Sequence, residues 1–193
     1  MFLWNSVQRM GWRLGWLRQR QRLASIAVVV LDVDGVLTDG GLWYGPEGQL
    51  TKRFDVRDGL GIRMLQHAGV EVALLSGGRG GATVERARHL GIRCCLVGAK
   101  DKPLALAELC TQLGVSRDVL LFVGDDLNDL ALRGAVALLV ATADATGPLR
   151  QQADAVLLRR GGQGAVRELA ERILRARGAW VSLSREGWRD RND

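Results

Sequence analysis

The chain has 193 residues, 47% of them hydrophobic and 25% charged, enough for one domain with a sizeable core and too apolar for a disordered chain. Its net charge of +6 suits an anionic substrate or partner. No nucleic-acid-binding motif accompanies that charge, and no apolar run reaches the roughly 18–20 residues needed to span a bilayer. The cysteines Cys94, Cys95 and Cys110 are odd in number and lack Cys-x-x-Cys spacing, which argues against a disulfide framework or a zinc site and suits a reducing cytoplasm.

Residues 1–31 contain no acid but carry Arg9, Arg13, Arg18, Arg20 and Arg22, interleaved with Trp4, Trp12 and Trp16. Leu3, Val7, Met10, Leu14 and Leu17 fall at helical spacing. A basic, Trp-bearing amphipathic helix fits peripheral contact with an anionic membrane surface. The arginines interrupt any apolar core, so it is not a signal peptide; an unstructured extension or a wrongly chosen start codon is the plainer alternative. The expected organisation is a basic amphipathic arm over 1–24, a folded domain over 25–177 and a polar, mobile tail over 178–193.

Ile26–Leu31 is a continuous apolar, β-branched run and predicts a buried parallel strand ending at Asp32-Val33-Asp34-Gly35. Leu42–Tyr44 and Gln49–Phe54 flank Gly-Pro-Glu-Gly and predict a hairpin. A helix follows over Gly59–Ala68. Strands are then expected at Val70–Leu75, Arg93–Val97, Val119–Val123 and Val136–Val140, with helices at Ala82–Leu90, Lys102–Leu113 and Leu127–Arg133 between them. Ala155–Leu158 is a candidate edge strand, and Gly164–Arg177 the last helix. Such alternation implies an α/β fold, a Rossmann-like parallel sheet with helices on both faces and one small hairpin insertion. Sites in such sheets form outside the carboxyl ends of the strands.

Those ends carry Asp32 and Asp34, then Ser76 and Gly77, then Lys102, then Asp125, Asp126 and Asp129. Singly, each has a plain structural explanation, such as a turn at Asp-x-Asp-Gly or a helix cap at Gly-Asp-Asp. Together, in this order, they supply phosphoryl transfer through an aspartyl-phosphate. Asp32 is ionised at neutral pH and can attack phosphorus. Asp34, on the same side of an extended chain, can serve as acid and then base. Crowded carboxylates call for Mg²⁺, held by Asp32, Asp125 and the backbone carbonyl of Asp34. Ser76 and the Gly77 amide can meet phosphoryl oxygens, and Lys102 gives fixed positive charge. Asp126 or Asp129 would orient Lys102 or a metal-bound water. A response-regulator receiver uses a similar inventory, but its acidic pair precedes the phospho-acceptor on a separate strand.

Leu31–Gly40 resembles the first motif of the haloacid dehalogenase superfamily phosphatases. Phe54–Gly59, Val123–Asp129 and Arg160–Glu168 make the chain similar, within that superfamily, to the 3-deoxy-D-manno-octulosonate 8-phosphate (KDO 8-phosphate) phosphatases. The resemblance covers residues 25–177. It implies a HAD-like fold and Mg²⁺-dependent release of phosphate from an acidic eight-carbon sugar in lipopolysaccharide synthesis, by a cytoplasmic homotetramer. It also implies Asp32 as nucleophile, Asp34 as acid–base group, Asp32, Asp34 and Asp125 as metal ligands, and Ser76 and Lys102 on phosphate.

No cap domain fits the spacings, so a neighbouring subunit is expected to cover the site, through the Leu42–Tyr44 hairpin and the Gly161–Gly164 loop. Arg57, with Gly59 beside it, and Arg79 are candidates to bind the sugar and its carboxylate. One departure stands out: the family's Ser/Thr-Gly-Arg is here Ser76-Gly77-Gly78-Arg79. This leaves open another acidic sugar phosphate, such as a nonulosonate 9-phosphate. A non-catalytic partner docked to membranes through the arm is the alternative from a different class.

Overall fold

The computed structural model describes residues 16–188. Helix α1 (Arg20–Ser25) leads into β1 (Val28–Leu31). A two-stranded antiparallel hairpin, β2 (Trp43–Tyr44) and β3 (Leu50–Thr51), pairs Trp43 with Thr51 and Tyr44 with Leu50. Then follow α2 (Val56–His67), β4 (Glu71–Ser76), α3 (Gly81–His89), β5 (Cys94–Val97), α4 (Lys102–Leu113) and β6 (Leu120–Gly124). A 3-10 helix over Leu127–Leu132 precedes β7 (Leu138–Ala141), α5 (Gly147–Gln152), β8 (Ala155–Val156), α6 (Ala165–Ala176) and α7 (Trp180–Glu186).

The main sheet has six parallel strands in the order β5-β4-β1-β6-β7-β8. Alternation along the central strands sends Val29, Leu31, Val72, Leu74, Leu121 and Val123 into one core with Ile62 and Leu65 of α2 and Leu169 and Ile173 of α6. Val28, Val30, Ala73, Leu75, Leu120 and Phe122 face the other way, onto Leu106 and Leu109 of α4 and Leu149 of α5. Both faces are thus buried, which is why these strands are continuous apolar runs. No helix among the described residues is long and apolar enough to cross a membrane.

Besides α5 (Gly147–Gln152), where the sequence predicts no element, three segments differ from the sequence expectation. Helix α2 begins at Val56, three residues early, because Asp55 caps it by accepting from Arg57 N at 2.7 Å. Part of the segment expected as an arm belongs to the domain. Trp16 is buried, its indole Nε1 donates to Val156 O of edge strand β8 at 3.0 Å, and the Arg172 guanidinium stands 4.2 Å from its ring centre. Leu23 is buried with it. Residues 1–15, with most of the expected amphipathic stripe, lie outside the described residues; the stripe's last member, Leu17, is 65% exposed. The tail, expected to be mobile, forms α7 and returns to the domain, with Arg175 4.4 Å from the Trp180 ring centre and Trp188 edge-on to His67.

Candidate active site

The site is built at the carboxyl ends of β1, β4 and β6. Asp32 continues the β1 ladder, its amide donating to Val123 O at 3.0 Å, so its backbone is held by the sheet itself. Its Oδ1 accepts from Val33 N at 2.6 Å. The chain then turns sharply, the Val36, Leu37 and Thr38 amides all donating to Val33 O. Gly35 has φ +83° in this turn, and a Cβ there would collide with Asp125 Oδ2. Only glycine allows both the left-handed backbone and the close approach of the two acidic loops.

After β6, Asp126 caps the 3-10 helix through Leu127 N at 2.7 Å. Asp129 turns back from that helix, its Oδ2 accepting from Asp125 N at 2.8 Å and Asp126 N at 3.2 Å. Its Oδ1 accepts from Lys102 Nζ. Lys102, at the start of α4, also donates to Asp32 Oδ2 at 2.8 Å, and all three side chains are buried. Burial, then the Asp129 charge, lift Asp32 to about 6 against the pull of Lys102. Burial followed by the charges of Asp32, Asp129 and Asp126 raises Asp125 to about 7. Burial alone would lower the Lys102 pKa, but Asp32 and Asp129 outweigh it and hold the ammonium above its ordinary value.

Carboxylate oxygens of Asp32, Asp125 and Asp129 lie within 4.8 Å of one another. One ammonium cannot neutralise three carboxylates, and a hard, oxygen-seeking divalent cation fits the donor set. Asp129 is fully buried behind Lys102 and does not line the cleft, whereas Asp32 and Asp125 do, so these two are the side chains open to a cation. The carboxylate of Asp34 is not part of this group. It points instead to Lys52 Nζ at 2.8 Å, which leaves only its backbone for metal ligation.

Ser76, at the end of β4, is buried and accepts from Gly78 N at 3.1 Å, leaving its hydroxyl proton free to donate. Asp32, Asp34, Ser76, Gly77 and Asp125 share a cleft of about 610 Å³ with Asp126 and Asn128. That volume suits a sugar phosphate. No arginine lines it among the described residues. Arg57 lies on α2, held by Asp55 at 2.6 Å, and lines a different cleft with Arg159, Arg167 and Arg175. Gly59 is a packing glycine of α2, where a Cβ would stand 2.5 Å from Arg86 Nη2. Arg79 is exposed, one residue from the cleft-lining Gly78. The loop of Gly161 and Gly162 packs on its own chain, Gly162 N donating to Val36 O at 2.9 Å, with Gln163 exposed at its tip.

Sequence reasoning missed Lys52. It sits in Thr51-Lys52-Arg53 after a two-residue strand, where a basic pair ordinarily marks a solvated edge. No pattern in the sequence distinguishes it.

A haloacid dehalogenase-like hydrolase family model matches residues 51–133. The 3-deoxy-D-manno-octulosonate 8-phosphate phosphatase KdsC of Haemophilus influenzae is 42% identical over 159 residues, 82% of this chain and 88% of that protein. The crystal structure of the phosphatase of that name from Yersinia pestis has 40% identity and a TM-score of 0.82, covering 84% of this chain and 88% of its own. The Moraxella catarrhalis enzyme, solved in complex with magnesium ion, phosphate ion and KDO, has 33% identity and a TM-score of 0.85 over 89% of this chain and 98% of its own. Similarity of this extent, over a chain whose strand ends carry the acidic cluster, shows that the protein belongs to the haloacid dehalogenase-like hydrolases, in the family of the 3-deoxy-D-manno-octulosonate 8-phosphate phosphatases.

Proposed function

We propose that this chain hydrolyses KDO 8-phosphate to KDO and phosphate through a phospho-aspartate on Asp32. The observation that carries the reading is the Asp32–Lys102–Asp129 chain beside Asp125, at the floor of a cleft that Ser76 and Gly77 enter. The Asp32 carboxylate attacks phosphorus, and the P–O bond to the sugar breaks. Asp34 gives a proton to the leaving oxygen, then takes one from the water that cleaves the phospho-aspartate. The Ser76 hydroxyl and Gly77 amide hold phosphoryl oxygens, Lys102 keeps Asp32 aimed, and Asp129 and Asp126 hold Lys102 and the 3-10 turn. Asp32, Asp125 and the Asp34 carbonyl would hold Mg²⁺, which supplies charge neutralisation of the phosphoryl group. Phosphate release from KDO 8-phosphate, with and without Mg²⁺, tests this; no turnover of that ester in Mg²⁺ would reject it.

A second reading is favoured by Gly78, where the family's usual arginine is missing from the cleft. It is hydrolysis of another acidic sugar phosphate, such as a nonulosonate 9-phosphate. A higher kcat/KM on the nine-carbon ester would select it.

The sugar carboxylate still needs a cation. Arg79 stands beside the cleft of its own chain. Arg57 does not, and can meet the carboxylate only from a neighbouring copy. Leu42, Trp43 and Tyr44 are 47%, 69% and 70% exposed, so the hairpin aromatics are not consumed by their own domain and can join subunits into a tetramer. Light scattering on Trp43→Ser/Tyr44→Ser should report smaller species. The free thiols of Cys94, Cys95 and Cys110 support a cytoplasmic location. The arginines of residues 1–24 support contact with anionic lipid, tested by sedimentation with phosphatidylglycerol vesicles; a chain lacking residues 1–15 should stay in solution and keep its turnover.

A further inference from the structure

Lys52 is a buried cation that the chemistry above leaves without a task. It directly follows β3, its side chain is 1% exposed, and its Nζ lies 2.8 Å from the Asp34 carboxylate and 3.4 Å from Thr83 Oγ1 on α3. A lysine this far from water persists only when its charge is answered, and the answering group is Asp34. Thr83 is itself buried and does not line the cleft, so the ammonium has a second tether outside it. Gly78 leaves room for the arrangement: a Cβ there would stand 2.8 Å from Asp34 Oδ2 and 3.5 Å from Lys52 Nζ.

The competing position for the Asp34 carboxylate is obvious from the layout. Two residues earlier in the chain, Asp32 joins Asp125 and Asp129 in the cation-seeking cluster. A carboxylate on the same short loop would be drawn to the same divalent ion and lost as an acid–base group. Lys102 cannot prevent this, because it is committed to Asp32 and Asp129.

We propose that Lys52 is a positioning residue that acts through Asp34, holding its carboxylate off the acidic cluster and towards the leaving oxygen. The inference rests on the acid–base role given to Asp34 above. It needs no contact between Lys52 and substrate, in keeping with the burial of its side chain.

The test compares two esters on each enzyme preparation by kcat/KM, which reports steps up to phosphoryl transfer. KDO 8-phosphate releases an alkoxide that must be protonated; p-nitrophenyl phosphate releases a phenolate that need not be. Lys52→Met should lose on the order of 10²-fold on the sugar ester and less than tenfold on the nitrophenyl ester, since general acid catalysis contributes about 10²–10⁴. Any loss of folded protein scales both rates alike and leaves their ratio unchanged. Equal losses on the two esters would overturn the proposal. In an Asp34→Asn background, Lys52→Met should cost less than about threefold more, because the residue it acts through is gone; the full wild-type loss there would also overturn it. If Asp34→Asn by itself slows both esters equally, the acid–base role of Asp34 fails first, and that result is distinct from either outcome at Lys52.

Discussion

The Lys102 ammonium stands 2.8 Å from Asp32 Oδ2, with both side chains closed off from solvent and Asp32 lining the cleft. This pair forms only because β1 and α4, seventy residues apart in the chain, present their ends to the same point. The Asp32 carboxylate is therefore held by a cation that is itself fixed by Asp129.

Lys102→Met should remove turnover and also destabilise the domain, by about 3–5 kcal/mol, because it leaves Asp32 and Asp129 buried without their counter-charge. Asp32→Asn should remove turnover while keeping the fold, since the amide relieves one of three crowded negative charges. Phosphate release and circular dichroism melts on both variants check the contrast. A Lys102→Met protein as stable as wild type would mean that the pair has no structural weight.

Gly35→Ala should impair the site more than the fold. The left-handed φ costs about 1–2 kcal/mol, whereas the added methyl displaces the Asp125 carboxylate. Misplacement of that group by about 1 Å would lower activity on the order of 10²-fold. Thermal shift on adding Mg²⁺ should shrink in parallel, as expected if Asp125 is a cation ligand.

Asp58 gives a stability effect with a defined sign. It is buried at the start of α2 and accepts from Gly164 N at 3.2 Å and Arg167 N at 2.8 Å, tying α2 to the N-terminus of α6. Burial nonetheless raises its pKa to about 6, above the unfolded value near 3.8. The folded state then binds the proton more tightly, so this residue's contribution is present below about pH 4 and lost as pH rises through 6. At about 1.4 kcal/mol per pH unit the effect is about 3 kcal/mol at most. Urea melts of wild type and Asp58→Asn at pH 4.5 and 7, in excess Mg²⁺, should show a smaller pH difference in the variant.

Trp16→Ala should cost about 3 kcal/mol of stability, as expected for truncating a buried tryptophan. The indole loses its bond to Val156 O, and Arg172 loses the ring it covers. Leu17→Ala, one residue on and exposed, should leave the melting temperature unchanged. The pair of melts locates where the domain begins.

The fold was largely legible because parallel strands buried on both faces announce themselves as unbroken apolar runs, as at Val28–Leu31 and Leu120–Val123. The polar residues that interrupt those runs had to lie at strand ends, and so Asp32, Ser76, Lys102 and Asp125 were found together. Lys52 was not, because its burial depends on where a hairpin, α3 and the Asp34 loop meet, and no local spacing encodes that meeting. Arg57 is held by the Asp55 that caps α2 and Gly59 packs against Arg86, so neither lines the cleft of its own chain. Trp16 reads as part of a basic amphipathic arm and the segment from residue 178 as a polar tail; yet Trp16 and Trp180 each meet an arginine of α6, a pairing that no linear pattern encodes.

The turn that carries Asp34 and Gly35 is closed from below by Gly161 and Gly162, where a Cβ on Gly161 would collide with Gly35 O. The outline of that acidic turn is therefore set in part from the far end of the chain, and a side chain added at position 161 would press on it without altering any residue of the turn itself.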